Sequence, residues 1–257
     1  MMKKITLVIL ALLLSVSLFA AGQEESSSQT YVFASDTTWP PLEYVDENGQ
    51  IVGYEIDLVK EIEKLSGVTI TIKSVAWDGI FAGLSNGAYD AVVSGVSVTD
   101  ERKASMDFTS PTLYITQSII TQVADEDMTS AAALNGKRIG VQIGTTGQFF
   151  LEDYAEENGL TYTIRQYDEI GFAVEDLLNG NLDAVVCDSV IASDFALANA
   201  NYAGKLHVSG TASEEGEPIA IAVQKGNAEL LALVNDNLKK LEDNGTVDQL
   251  KKKYNIL

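Results

Sequence analysis

Asn86-Gly87-Ala88-Tyr89-Asp90-Ala91-Val92-Val93 returns 93 residues later as Asn179-Gly180-Asn181-Leu182-Asp183-Ala184-Val185-Val186, identical at six of eight positions. Each copy follows an apolar stretch of helical period, residues 77–85 and 170–178. In each, a glycine can end the helix and a short valine-rich run then reads as a strand. The motif is also a common helix–turn–strand join. On either reading, two copies predict two α/β units of similar build.

The flanking sequence extends the pattern. Strands are expected at 31–34, 69–75, 91–94, 138–142, 161–166, 184–186 and 206–208. Helices are expected at 55–65, 77–86, 146–158, 171–178 and 189–198. This alternation predicts α/β layers around largely parallel sheets. Asn48-Gly49, between 42–45 and 51–52, is a hairpin turn signal. A helix over 229–243 should stop at Asn244-Gly245, and Thr246-Val247-Asp248-Gln249 reads as a capping box opening a helix over 247–254. Two β-branched stretches, 113–122 and 219–223, belong to neither unit and flank the second. They are expected to be strands that cross between two lobes as a hinge. Lobe one then comprises 31–115 and 219–257, and lobe two comprises 116–218 including the hinge strands.

The chain has 257 residues, 46% of them hydrophobic, so two lobes with real cores are within reach. The formal charge of −20 and the absence of a basic stripe argue against a nucleic-acid partner. Lys3 and Lys4 precede an apolar run from Ile5 to Ala21 that is broken only by Thr6, Ser15 and Ser17, and small residues follow it. Residues 1–22 therefore read as a secretory signal peptide and 23–30 as a flexible lead, although a retained membrane anchor has a similar appearance. Cys187 is the single cysteine, so no intramolecular disulfide is expected, and none follows the apolar run where a lipoprotein would be acylated. Soluble export to the periplasm is the expectation, with no lipid anchor.

In open α/β sheets ligands bind beyond the carboxyl ends of the strands. Four such loops hold a coherent set of side chains. Arg102 offers a planar fork suited to a carboxylate. Gly144-Thr145-Thr146 presents N–H groups at a helix start, where an anion is favoured. Asp188, at a strand end, suits an ammonium group, and Ser97 can donate or accept. Trp39 and Trp77 can stack on a ligand. Each also has a plainer reading: Arg102 on a helix surface, Asp188 as a helix cap, the tryptophans as core anchors. Together, one cation, one anion nest and one carboxylate match a zwitterion.

Gly53-Tyr54-Glu55-Ile56-Asp57-Leu58, Ser97-Val98-Thr99-Asp100-Glu101-Arg102 with Phe108-Thr109-Ser110-Pro111, and Asn244-Gly245-Thr246-Val247 with Lys253-Tyr254 resemble three motifs of the bacterial periplasmic polar-amino-acid-binding proteins of ABC importers. Relatives of that kind include those for histidine, lysine/arginine/ornithine and glutamine. The resemblance runs from about Tyr31 to Tyr254; Glu63 departs from the small residue usual there, and the first-lobe disulfide of some relatives is absent. It implies a two-lobed periplasmic-binding-protein fold of type II, a Venus flytrap with two hinge-crossing strands. It implies that Arg102, with the N–H groups of Ser97 and Thr146, binds an α-carboxylate. Asp188, the Gly95 carbonyl and the Ser97 hydroxyl would hold the α-amino group. Trp39 would stack on the ligand side chain, and Asp36, Trp77 and Gln142 would line its pocket. Asp36 and Gln142 favour a polar or basic amino acid. The partners so implied are a free amino acid and an ABC-transporter permease, with the binding protein a monomer and no cofactor or metal.

Two other functions fit the same scaffold. One is an exported cyclohexadienyl- or arogenate-dehydratase-like enzyme, which needs a general acid in the cleft; Asp188 or Glu43 is available, whereas His207, the single histidine, falls in a strand away from the four loops. The other is a ligand sensor presenting to a separate receptor. The expectation is a binding protein and not an enzyme.

Overall fold

The computed structural model describes residues 29–125 and 128–256; the expected signal peptide (1–22) and residues 23–28 of the lead lie outside the described residues. Two five-stranded sheets share one plan. The first runs Thr69–Ser74, Thr30–Ser35, Ala91–Val92, Ala222–Gln224, Met106–Phe108. The second runs Thr163–Tyr167, Arg138–Gln142, Ala184–Asp188, Leu113–Gln122, Leu206–Ile219. In both, the first three strands are parallel and the last two pair antiparallel. The first sheet joins residues from both ends of the chain. The central strands Ala91–Val92 and Ala184–Asp188 are buried throughout, as strands covered on both faces must be.

The repeated motif explains this symmetry at atomic level. Asn86 caps the helix Ile80–Ser85 and Asn179 caps the helix Ile170–Leu178. Gly87 and Gly180 follow at φ 72° and 74°, a left-handed turn that a Cβ would strain. Asp90 Oδ2 then accepts the Val32 N–H at 2.7 Å, and Asp183 Oδ2 accepts the Arg138 N–H at 2.7 Å. The same aspartate thus ties each third strand to the second strand of its own sheet.

Several sequence expectations need correction. The helix expected over 77–86 begins only at Ile80, because Gly79 at φ 88° interrupts it. The helix expected over 189–198 is an α-turn, Ser189–Ser193, followed by a π-turn, Asp194–Ala198. Thr246 is not a cap: Gly245 at φ 79° closes the preceding helix, and Asn244 Oδ1 accepts the Thr246 N–H at 2.9 Å. The lead is shorter than 23–30, since Thr30 opens the first strand. The hairpin at Asn48-Gly49 forms, with Glu43–Val45 paired to Ile51–Val52. The second long strand spans Leu206–Ile219, not 219–223. It pairs with Leu113–Gln122 from Leu206↔Gln122 to Ile219↔Leu113, with bulges between Val208 and Glu217. At the Ile219 end both strands reach the first sheet: Thr112 N–H donates to the Ile219 carbonyl at 2.7 Å and Ala220 N–H to the Val96 carbonyl at 3.1 Å. These two strands are therefore the connection between the sheets.

Candidate functional site

All nine residues singled out from the sequence line one cavity, between the strand ends of the two sheets. Ser94 and Thr145 complete its wall.

Arg102 lies in the short helix Asp100–Ser105, capped by Thr99, whose Oγ1 accepts the Arg102 N–H at 3.1 Å. Its side chain does not stay on the helix surface. Nη1 donates to the Ser97 carbonyl at 2.9 Å and Nη2 to the Gly144 carbonyl at 3.2 Å. The guanidinium lies 4.8 Å from the ring centroid of Phe81 and 5.5 Å from that of Trp77, which meet edge to face. Such aromatic faces stabilise a cation. No carboxylate of the described residues forms an ion pair with Arg102; Asp188, Glu217 and Glu101 act on it from further away. Desolvation lowers its pKa, against the pull of those acids, yet a guanidinium stays charged. A half-buried cation with open donors is a site for an anion. The Ser97 and Thr146 N–H groups, which have no protein acceptor among the described residues, add to it. The Gly144 N–H does not, because Gln148 Oε1 accepts it at 2.8 Å.

Asp188 ends the strand Ala184–Asp188 and is 5% exposed. It stands at the N-cap position of the helix Ser189–Ser193 but makes no side-chain cap, so its carboxylate is free to face the cavity. Burial raises its pKa to about 7. Glu217 adds to that rise, while bonds from Gln117 and Trp39 and the charge of Arg102 oppose it. Gln117, fully buried on the strand Leu113–Gln122, donates from Nε2 to Asp188 Oδ1 at 2.9 Å, to Glu217 Oε1 at 3.1 Å and, more weakly, to Thr146 Oγ1 at 3.3 Å. One amide thus orients the carboxylate and links it to the start of the helix Thr146–Asn158.

The other end of the cavity is polar and acidic. Asp36 is 5% exposed; its pKa is raised by burial, against hydrogen bonds from Thr38 and Gln142. Gln142 Nε2 donates to Asp36 Oδ2 at 3.1 Å and to the Asp168 carbonyl at 2.9 Å. A neighbouring opening is lined by Asp36, Asp78, Asp168 and Glu169. Trp39 is buried and Trp77 partly so. Gly95, at φ 54°, leaves room for Trp39: a Cβ there would lie 3.2 Å from its indole. Three polar contacts span the two sheets' residues, Gln142 to Asp36, Arg102 to Gly144, and Ser97 Oγ to Thr146 Oγ1 at 3.3 Å. The lobes are therefore closed on one another.

Sequence reasoning missed Gln117 and Glu217, gave Ser94 no role, and took Thr145 only as part of the Gly144–Thr146 turn. A polar residue amid Ile115, Ile119 and Ile120 was the available signal for Gln117. Glu43 and His207, weighed as acids, do not line the cavity. Among the described residues no cluster could hold a metal ion, and no helix is long and apolar enough to cross a membrane.

Comparison with known proteins agrees with this geometry. A probable histidine-binding protein of Neisseria gonorrhoeae is 30% identical over 91% of this chain and 86% of its own length. An ancestral arginine-binding protein solved with arginine bound superposes with a TM-score of 0.80 at 35% identity, covering 88% of this chain and 97% of that one. An ancestral amino acid-binding protein, a precursor of cyclohexadienyl dehydratase, superposes with a TM-score of 0.77 at 32% identity over 88% and 95%. Residues 31–256 match the model of the bacterial extracellular solute-binding proteins, family 3. With that match and the two-lobe architecture of its neighbours, the chain belongs to the bacterial extracellular solute-binding proteins of family 3.

Proposed function

We propose that this protein is exported to the periplasm, closes its lobes (31–115 with 219–257, and 116–218) on a free basic amino acid, and delivers it to an ABC-transporter permease. The observation that carries this is the pairing of opposite charges in one enclosed cavity: Arg102 without an anionic partner, and Asp188 across from it. A free amino acid satisfies both. Its carboxylate meets Arg102 and the N–H groups of Ser97 and Thr146. Its ammonium meets Asp188, the Gly95 carbonyl and the Ser97 hydroxyl. Trp39 and Trp77 enclose the side chain, and Gln142 helps to seal it in.

Asp36 and the acidic opening beside it favour a cationic side-chain end, which agrees with the arginine and histidine ligands in the names of similar proteins. A ligand touching both lobes stabilises the closed form by its differential affinity, and that form is what a permease can read. Binding, not catalysis, is the reading: Glu43, one of the two acids considered for a dehydratase, is sealed behind Ser94. The protein acts as a monomer.

Titration calorimetry with L-arginine and L-glutamine tests the ligand class. L-arginine should bind the more tightly. Asp36→Asn should weaken L-arginine by about 10- to 100-fold, the effect of losing one charge-assisted contact, and should change L-glutamine by much less. Equal losses for both ligands would assign Asp36 a structural role and leave the basic specificity unsupported.

A further inference from the structure

Glu43 and Glu55 are both 0% exposed, and neither lines the cavity. Their meeting is built into the backbone. Gly53, at φ 137°, packs so tightly on Leu42 that a Cβ would lie 2.1 Å from the Leu42 carbonyl oxygen. Tyr54 N–H donates to the Pro41 carbonyl at 3.0 Å, and Glu55 N–H to the Leu42 carbonyl at 3.0 Å. The strand Glu43–Val45 and the first turn of the helix Tyr54–Ser66 are thereby held together, which sets the two buried carboxyl groups against adjacent residues of one loop, Ser94 and Gly95.

Each carboxyl also grips the cavity loop. Ser94 Oγ donates to Glu43 Oε1 at 3.0 Å and itself accepts the Asp36 N–H at 2.9 Å. Gly95 N–H donates to Glu55 Oε2 at 2.7 Å. The remaining oxygens, Glu43 Oε2 and Glu55 Oε1, are buried with no hydrogen-bond partner among the described residues. No cation among the described residues balances the pair. The charged groups acting on it are Asp36 on Glu43 and Asp188 on Glu55, both acidic. The Tyr54 hydroxyl donates to the Thr112 carbonyl at 3.0 Å, and the Thr112 hydroxyl donates to the Ile219 carbonyl at 3.3 Å. Two neighbouring buried carboxyl groups without a cation do not both ionise readily, and a proton between their two unpaired oxygens satisfies both. Burial raises both, Glu55 to about 7 and Glu43 well above the usual carboxylate range.

We propose that Glu43 and Glu55 share one proton between Oε2 and Oε1, and that this pair positions the Ser94-Gly95 loop to receive the ligand's ammonium group. The ligand chemistry rests on the amino-acid-binding reading above; the shared proton does not. Loss of that proton leaves two adjacent anions, which separate and draw Ser94 and Gly95 with them.

Glu43→Gln replaces the shared proton with an amide hydrogen that does not titrate. With L-arginine as the probe, E43Q should bind within a few-fold of the native protein at neutral pH. The ratio of native to E43Q affinity should fall by about tenfold as pH is raised from about 7 to about 9. Taking the ratio removes the titration of the ligand's own amine. Glu43→Leu, which cannot bridge Ser94 and Glu55, should bind at least about tenfold more weakly at neutral pH. A ratio that does not change with pH overturns the proposal.

Infrared spectroscopy of the native protein supplies a second readout that needs no variant. A protonated-carboxyl band should remain at about pH 8, where Asp188 is largely ionised, and fade towards about pH 9 together with the affinity ratio; its absence at about pH 8 also overturns the proposal. If no amino acid binds at all, the binding reading fails separately, and the band decides whether the proton is shared.

Discussion

Arg102→Ala is expected to weaken binding of the cognate amino acid by about 2–5 kcal/mol, the loss typical of one partner of a buried charge-assisted pair. The size follows from the environment. The guanidinium is enclosed by Trp77 and Phe81, fixed by two carbonyls, and unpaired with any carboxylate of the described residues. Its remaining donors have a ligand anion as their best acceptor. The same geometry predicts the effect on stability. Removing a desolvated cation that lacks an ion-pair partner should cost the free protein little, so the melting temperature without ligand should hardly change. Calorimetry and thermal melting together check this. Arg165→Ala, a control outside the cavity, should leave affinity unchanged.

Asp188→Asn is the second large effect, with a similar expected loss of about 2–5 kcal/mol. The amide keeps the shape and an acceptor for Gln117 but removes the charge that meets the ammonium group. The pH dependence of the native protein follows from the same residue. In the ligand-free site burial raises Asp188 to about 7. A bound ammonium favours the ionised form and lowers that value. Binding therefore releases a proton below about pH 7, and affinity should fall, by up to about tenfold per pH unit, as pH drops from about 7 towards the lower value of the complex. Affinity measured from about pH 8 to about pH 5 should bend near 7 in the native protein and lose that bend in D188N. A native profile flat across that range would contradict the assignment of Asp188.

The raised value also bears on folding. A carboxyl whose folded pKa lies above its unfolded value contributes most to stability below the unfolded value, and that contribution is lost as pH rises through the folded one. The ligand-free protein should thus lose melting temperature between about pH 4 and about pH 7, from Asp188 and from Glu55. Bound ligand should recover part of the loss, since it supplies the charge that Asp188 lacks.

How much of this was legible in the sequence depends on the range of the interactions involved. The repeated motif disclosed two units because its content is local. A helix stop, a left-handed glycine and an aspartate that reaches the neighbouring strand all lie within eight residues. Gly87 and Gly180, and Asp90 and Asp183, do the same work in the two sheets. Arg102, Ser97, Thr146, Asp188 and the two tryptophans were legible because strand ends in α/β sheets converge on one crevice, whereas Asp36, Gly95 and Gln142 were implied only by the family resemblance. The second hinge strand was not, because residues 209–216 carry two glycines and two glutamates with no apolar alternation. Only pairing with Leu113–Gln122 makes them a strand, and bulges interrupt that pairing.

Gln117 and Glu217 were hidden for the same reason. Their roles exist only once a bulged strand brings residues a hundred positions apart onto one amide. Glu43 reads as a cleft acid and Glu55 as the start of a helix, and neither reading brings the two together until Gly53 is seen pressed against Leu42. In each case the contact is set by tertiary approach, which no periodicity records.

The central claim is that the closed cavity is a receptor for a free amino acid. A thermal-shift screen of the natural amino acids against the native protein tests it most directly, because a ligand that binds only the folded state raises the melting temperature. L-arginine or another basic amino acid should raise it, with the rise abolished in R102A. No shift with any amino acid, or an equal shift in R102A, would contradict the account.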